Sequence, residues 1–416
     1  MFSSQNVEKV VKTKPIRLLS KTPFPLGPNA SRSQRLMAVL FIIIIAGIGT
    51  YLLTQSFAAS PISAVEPEKG TLSTGATIGS DSMASGGQYV KFGNSVSASD
   101  PLIVADGDIA CDPAASGFNG GSGSGSSCQE LATSNLAISL NPAAVLALGD
   151  NVYECGGLSA FQTSYGPSWG RLKSITHPAV GNHEYITGGT VNGVPATDCD
   201  ATGNAMGYAN YFGTAAGSPG HFYYSYDVGS WHMIALDSDC SKAGGCVSGS
   251  AQYTWLQNDI KAHPNQCLLA YFHHPLYSRD TSGGTANLAG QPFWQLLYAA
   301  GADIVLNGHS HNYQRFAPMN ASGGVDNAKG ILELVTGAGG ANHTPFDVTD
   351  TAAQFAANYP SVTPGLNQPV PVAYNNTEFG VLALTLHAHS YDYKFYSITA
   401  GGFSDASASS IACHNG

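Results

Sequence analysis

Residues 144–153 read AVLALGDNVY. Five apolar residues run straight into Gly149-Asp150-Asn151, and Tyr153 follows three places after the aspartate. A short apolar run that stops at a turn signal reads as a strand buried on both faces. The same pattern recurs on either side of it. Upstream stands LIVADGD (102–108). Downstream stand HPAVGNHE (177–184), HMIALDSD (232–239), CLLAYFHHP (267–275), ADIVLNGHSH (302–311) and LELVTGAGG (332–340). Helix-like segments lie between several of them. Gln129–Ala137 is one. Ser250–Ala262 carries Tyr253, Leu256 and Ile260 at helical spacing behind a serine cap, and Pro292–Gly301 opens on Pro and closes on Gly. Strands alternating with helices predict an α/β core. The closing stretch GVLALTLHAHSYDYKFYSI (380–398) alternates as antiparallel strands do.

The polar ends of these runs carry the chemistry. In an α/β sheet, sites form beyond the strand C-termini. The clusters are, in order, Gly107-Asp108, then Gly149-Asp150 with Tyr153, then Gly181-Asn182-His183-Glu184, then His273-His274-Pro275, then Gly308-His309-Ser310-His311. Carboxylate, amide and phenol oxygens mixed with imidazole suit iron, zinc or manganese. A lone Gly-Asp or Gly-His pair carries no information. Five such clusters, each ending a strand, are hard to ascribe to chance. The glycine before each donor is expected to permit a sharp turn that aims the next side chain into the site.

In this order the clusters resemble the calcineurin-like metallophosphoesterase superfamily, and most closely its purple acid phosphatase branch, over about residues 100–400. The superfamily's usual opening is Asp-x-His. Here position 110 is Ala, and Tyr153 offers a phenolate instead, the swap that marks the purple branch. The resemblance implies a four-layer α/β sandwich, two mixed β-sheets flanked by helices. It implies two metal ions, one held by Asp108, Asp150, Tyr153 and His311, the other by Asp150, Asn182, His273 and His309. Asp150 bridges them. A phenolate favours Fe(III) at the first position; Fe, Zn or Mn suits the second. Of the adjacent pair, the family pattern makes His273 the ligand, two places before Pro275. The implied reaction is hydrolysis of phosphate monoesters of small molecules by a metal-bound hydroxide, as in an acid phosphatase. His183, with Asp150 as the other catalytic residue, resembles the family's proton donor to the leaving oxygen. His274, Glu184 and His343 are candidate substrate contacts, Glu184 also as a brace for His183 or a nearby loop. Asp237 and Ser238 fit a structural loop, Arg315 a loop brace, and His387 and His389 a structural or surface role. A phosphodiesterase acting on nucleotides or phospholipids is the enzymatic alternative.

The amino-terminal third sets the setting of this chemistry. Seven of the 17 Lys and Arg residues precede residue 36, opposed only by Glu8. The remainder holds ten basic against 26 acidic residues by subtraction, so no basic stripe is available to track a nucleic acid. An uncharged run, LMAVLFIIIIAGIGTYLLT (36–54), follows the basic arm and is about long enough to span a bilayer as a helix. It reads as a signal anchor that leaves the catalytic part outside, or as a signal peptide cleaved near Ala58. All eight cysteines lie beyond it, which fits disulfides in an exported chain. Cys240–Cys246 and Cys111–Cys128 close short loops and are the preferred pairs. The division expected is a basic cytoplasmic arm (1–35), the membrane or signal helix (36–54), a Ser/Gly-rich linker or short β-appendage (55–99), the catalytic domain (100–400) and a C-terminal tail (401–416). Residues 70–93 resemble one edge of a carbohydrate-binding β-sandwich. A rival of another class is therefore a surface-anchored protein that holds a glycan weakly through residues 61–99 and whose metal site is vestigial.

Overall fold

The computed structural model describes residues 100–415 apart from 192, 197, 265, 283–285 and 360–367, together with two strands nearer the amino terminus. Those two are β1 (Ala76–Ser80) and β2 (Gln88–Phe92), an antiparallel hairpin. The apolar run at 36–54 lies outside the described residues. Among the described residues, no helix is long and apolar enough to cross a membrane. The chain divides at residue 96 into two units.

The second unit alternates strands and helices as the periodicity predicts. It runs β3 (Leu102–Asp106), α1 (Glu130–Ser139), β4 (Ala144–Leu148), β5 (Thr176–Ala179), the hairpin β6 (Gly189–Val191) and β7 (Val194–Ala196), and α2 (Met206–Phe212). It continues through β8 (Tyr224–Val228), β9 (Trp231–Ala235), α3 (Ala251–Ala262), β10 (Cys267–Tyr271), α4 (Gln291–Ala299), β11 (Ile304–Asn307) and β12 (Tyr313–Arg315). It closes with β13 (Leu332–Thr336), α5 (Ala352–Asn358), β14 (Ala373–Asn375), β15 (Gly380–Leu386), β16 (Ser390–Ser397) and β17 (Ile411–Ala412). Ser250 caps α3 by accepting from the Tyr253 N–H, and Pro292 stands in the first turn of α4. Both are the start signals read from the sequence.

Two mixed sheets result. One has the order β14-β12-β13-β11-β10-β9-β8 and the other β17-β16-β15-β3-β4-β5. β9, β10, β11 and β13 are mutually parallel, as are β3, β4 and β5. The apolar runs at their centres are buried on both faces, as parallel strands covered by helices must be. One face of each sheet packs against the other through Ile103, Leu146, Leu148, Met233, Leu269 and Leu306. The outer face of the first sheet meets α3 and α4 through Leu256, Phe293, Trp294 and Leu297. The outer face of the second meets α1, α2 and an aromatic belt of Phe161, Tyr165, Trp169 and Tyr208.

Of residues 401–416, expected as a tail, those up to 415 are built into this frame. Ile411 and Ala412 add β17 to the edge of the second sheet, and Cys413 is bonded to Cys267 at the start of β10. Antiparallel pairing and a cross-sheet disulfide together hold the segment down. The remaining disulfides are Cys111–Cys128, Cys155–Cys199 and Cys240–Cys246. The two short-loop pairs are those the spacing favours; the other two span 44 and 146 residues and depend on the fold.

Candidate metal centre

The parallel strands of each sheet present their C-terminal ends on one rim. From the six-stranded sheet, the turn after β3 presents Asp108, that after β4 presents Asp150 and Tyr153, and that after β5 presents Asn182. From the seven-stranded sheet, β10 leads into His273, and β11 into His309 and His311. Backbone hydrogen bonds lace the turns together: Asp108 N donates to Gly149 O (3.2 Å) within one sheet, Gly308 N to His273 O (3.1 Å) within the other, and Gly107 N to Thr336 O (3.0 Å) across the sandwich.

The glycines before the donors act differently from the expectation. Of the four, only Gly149 has a positive φ. The left-handed backbone falls on the donors themselves, at Asp108 (φ 56°), Asp150 (φ 47°) and His309 (φ 68°). Three non-glycine residues in that region, all at one rim, are the kind of strain that collects at functional sites. The glycines supply clearance instead. A Cβ on Gly181 would stand 2.2 Å from Asp150 Oδ1, and one on Gly308 2.8 Å from Asp108 Oδ2.

All seven candidate ligands converge, in two groups that share Asp150. In the first, the Tyr153 hydroxyl lies 2.8 Å from Asp108 Oδ1, 3.2 Å from Asp150 Oδ2 and 2.8 Å from His311 Nε2. In the second, His273 Nε2 lies 3.2 Å from Asp150 Oδ2, 3.0 Å from Asn182 Oδ1 and 3.2 Å from His309 Nδ1. Asp150, His273 and His309 each offer a ligand atom within 4.8 Å of the others.

The proton inventory tests whether this set fits cations. His273 Nδ1 faces the Leu148 carbonyl at 2.9 Å and must donate to it. A neutral ring then turns the lone pair of Nε2 toward a carboxylate oxygen, an amide oxygen and another imidazole nitrogen. His311 repeats the arrangement: Nδ1 donates to Asn342 Oδ1 at 2.7 Å, and Nε2 faces Asp108 Oδ1 at 3.2 Å. Acceptors crowded on acceptors repel unless positive charge stands among them. Without a cation, protons must supply it. Burial pulls His273 down, but Asp150 and Asp108 hold it up at about 10; His311, likewise opposed by burial, is held up at about 9 by Asp108. Burial and the Asp108 and Asp150 carboxylates push the Tyr153 hydroxyl well above its ordinary range. Only a strong Lewis acid would make a phenolate there. The donor set fits two cations and is poorly satisfied without them.

The remaining candidates divide. His183 Nδ1 donates to the Glu154 carbonyl at 2.7 Å, which leaves Nε2 aimed inward, 3.8 Å from Asp150 Oδ2. Its ring edge packs on Tyr153, with centroids 4.4 Å apart. His274 sits beside His309, but its Nδ1 bonds Ser238 Oγ at 2.9 Å; burial and the neighbouring His273 push it down to about 3, so it is neutral. Glu184 is no substrate contact. It is wholly buried and accepts from the N–H groups of Asn151 (2.7 Å), Gly181 (2.7 Å) and Asp150 (3.1 Å). It braces the Asp150 and Asn182 turns against each other. Burial and Asp150 push its carboxyl up to about 7 against those N–H groups. His343 is half-buried. It stacks on Phe379 and its Nδ1 lies 3.4 Å from the His311 carbonyl, a contact to the turn that carries His311. Asp237 and Ser238 are structural, taking Tyr185 and His274 respectively, and Arg315 makes a two-point ion pair with Asp405. His387 bridges Asp100 and Asp392.

Two positioning groups escape sequence reading. Asn342, two residues beyond the VTGAGG segment, orients His311. Buried Asp280 accepts from Ser310 Oγ (3.0 Å), Asn312 Nδ2 (3.4 Å) and Thr344 Oγ1, and Thr344 in turn accepts the His311 N–H at 3.1 Å. Neither Asn342 nor Asp280 ends a strand, so no periodic signal marks them.

A sequence profile described as "Calcineurin-like phosphoesterase" matches residues 129–313, which include six of the seven converging donors. The matched segment belongs to the calcineurin-like metallophosphoesterases. Within this family it is distantly related to plant purple acid phosphatases and fungal acid phosphatases. Purple acid phosphatase 18 of Arabidopsis thaliana is 32% identical over 134 residues, covering 30% of this chain and 28% of the relative. Acid phosphatase A of Cryphonectria parasitica is 28% identical over 168 residues, covering 35% of this chain and 33% of the relative. The match therefore spans about a third of these relatives' length. Purple acid phosphatase PPD1 from yellow lupin (Lupinus luteus) seeds shares the fold, with a TM-score of 0.53 at 17% identity over 74% of this chain and 53% of that one. Asp108 precedes the matched segment. The four disulfides fit a protein of the secretory pathway or of the cell exterior.

Proposed function

We propose that this metallophosphoesterase hydrolyses phosphate monoesters of small molecules outside the cytoplasmic membrane, in the manner of an acid phosphatase. Asp108, Asp150, Tyr153 and His311 would hold Fe(III), and Asp150, Asn182, His273 and His309 a second ion, Fe, Zn or Mn. One observation carries this reading. His273 and His311 each spend one nitrogen on a protein acceptor and turn the other onto carboxylate oxygens. Such a convergence of lone pairs is a cation site and not a hydrogen-bond network. A vestigial centre would show a damaged donor set, whereas here all seven donors meet.

Bound there, the cations supply Lewis acidity to the phosphoryl oxygens and an activated water for in-line attack. The protein's own groups do the rest. The Leu148 carbonyl and Asn342 fix which nitrogen of His273 and His311 faces inward. Glu184 keeps the Asp150 and Asn182 turns in register. The Glu154 carbonyl holds the Nδ1 proton of His183, so Nε2 is the nitrogen that carries a proton toward the leaving oxygen.

The test is a paired assay on the purified protein. p-Nitrophenyl phosphate and its bis ester are compared across pH, with metal content and the visible spectrum recorded on the same sample. Monoester turnover with a violet charge-transfer band is expected, and Asp150→Asn should abolish both. Preference for the bis ester would replace the monoesterase reading with a diesterase. A colourless enzyme with two zinc ions would remove Fe(III) from the Tyr153 position. Full activity in Asp150→Asn would end the site assignment.

A further inference from the structure

A second His/Asp cluster lies in the seven-stranded sheet, at the opposite rim. His232 is the second residue of β9, Asp227 stands on β8, Asp259 is in the last turn of α3, and His263 follows that helix directly. One ligand atom from each of His232, Asp259 and His263 lies within 4.8 Å of the others. None of these residues touches the Asp150 centre, and the phosphoesterase reading makes no use of them.

His232 is buried with a carboxylate on each nitrogen: Asp227 Oδ1 is 2.8 Å from Nδ1 and Asp259 Oδ2 is 2.8 Å from Nε2. A neutral ring satisfies only one of them. Either the ring carries both protons, or a cation takes the place of the proton on Nε2. The second state leaves Nδ1–H donating to Asp227, the carboxylate–histidine–metal arrangement that orients metal-bound imidazoles. Asp259 is prepared for it. Ser225 Oγ holds its Oδ1 at 2.7 Å, which leaves Oδ2 as a single ligand atom.

His263 supplies a third donor. It follows Asp259 by four residues, so both lie on one face of the helix end. Its ring stacks on His232 with centroids 3.7 Å apart and 18° between planes. Its Nδ1 donates to the Asp259 carbonyl at 2.8 Å, which leaves Nε2 as the ligand atom. Charge balance favours a cation too. Two carboxylates and the carbonyl end of α3 outweigh a single imidazolium. Ligand atoms on tetrahedral zinc are about 3.3–3.5 Å apart, so His232 Nε2 and Asp259 Oδ2, now 2.8 Å apart, open by about 0.5 Å to admit the ion. The His263 side chain is 30% exposed, so its ring turns at the surface, whereas His232 is held on both nitrogens.

We propose that His232 Nε2, Asp259 Oδ2 and His263 form a third cation site for zinc or a similar divalent transition ion, with water as the fourth ligand, fastening α3 to β8 and β9. Binding displaces one proton from His232 into solvent. The site does not depend on the activity of the Asp150 centre.

The experiment compares wild type with His263→Gln and Asp259→Asn. Each protein is dialysed against micromolar zinc, and zinc per chain is counted beside p-nitrophenyl phosphate turnover. Both variants are expected to hold one zinc fewer per chain, with turnover within twofold of wild type, and to lose the zinc-dependent rise in thermal midpoint that wild type shows. The readout is a difference of one ion, so it stands even if the Asp150 centre binds no metal; Asp150→Asn should leave this last ion in place. Equal zinc content in wild type and His263→Gln would overturn the proposal and leave His232 as a buried imidazolium clamp.

Discussion

Replacing Glu184 by Gln isolates the brace beneath the metal site. The side chain has no exposed surface. Its Oε1 accepts from Asn151 N at 2.7 Å and from Asn151 Nδ2 at 3.3 Å; Oε2 accepts from Gly181 N at 2.7 Å and from Asp150 N at 3.1 Å. Gln keeps the shape but exchanges one oxygen for an NH2. Whichever way the amide turns, a donor then faces at least one buried backbone N–H. A buried donor left without an acceptor costs about 1–3 kcal/mol, and the two surviving bonds lose their charge assistance. The expected loss is about 2–4 kcal/mol of unfolding free energy. The damage is not confined to stability. Asp150 is shared by both donor groups, and its backbone is one of the groups released, so metal content and turnover should fall together. Urea unfolding of wild type and Glu184→Gln in the same buffer, with the two m-values compared, measures the first effect. Metal analysis after gel filtration measures the second. If Glu184→Gln unfolds within about 0.5 kcal/mol of wild type and retains its metals, the brace does not exist as described.

Three further outcomes follow from the same geometry. His183→Asn should lower kcat by about 10²–10⁴ with an alkyl phosphate and much less with p-nitrophenyl phosphate, whose leaving oxygen needs little proton assistance; an equal loss on both would remove His183 from that role. Asn342→Ala frees the Nδ1 of His311 and should weaken retention of the ion at the Tyr153 position by about 10–100-fold, read as metal content against chelator concentration, with the fold unchanged by circular dichroism. The Glu333 carboxyl is buried and pushed up to about 8 from an ordinary 4.5, despite the N–H groups of Leu276 and Tyr277. A carboxyl raised in the folded state contributes stability that is full below about pH 4.5 and lost as pH climbs to about 8. Glu333→Gln carries no such titration, so its stability relative to wild type should improve between pH 5 and pH 8.5 by on the order of 4 kcal/mol. Parallel pH profiles for the two proteins would refute the burial argument.

The sequence and the structure meet most fully at the strand ends. The runs ending in Asp108, Asp150, Asn182, His273 and His309 are legible because a buried parallel strand must be apolar along its length and must turn where it leaves the sheet. Functional donors follow that turn directly. The same local logic names Cys240–Cys246 and Cys111–Cys128, whose loops are short. It fails where a contact joins distant segments. Cys267–Cys413 spans 146 residues, and nothing near either cysteine announces the other. Glu184 looks like a site residue because it adjoins His183, yet its carboxylate turns away to three backbone N–H groups.

By itself, then, the sequence determined the kinds of donor available, their order, the alternation of strands and helices, and the exchange of a histidine at position 110 for Tyr153. These are properties of side chains and of local periodicity, and they survive in a one-dimensional string. Only the tertiary structure decided which donors meet. It brought three turns of one sheet against two of the other, set the Leu148 carbonyl behind His273 so that Nε2 faces Asp150, and set Asn342 behind His311. The reason is physical. The distance between two side chains on different sheets depends on the register and packing of every strand between them, and that sum of long-range contacts is written at no single position in the chain.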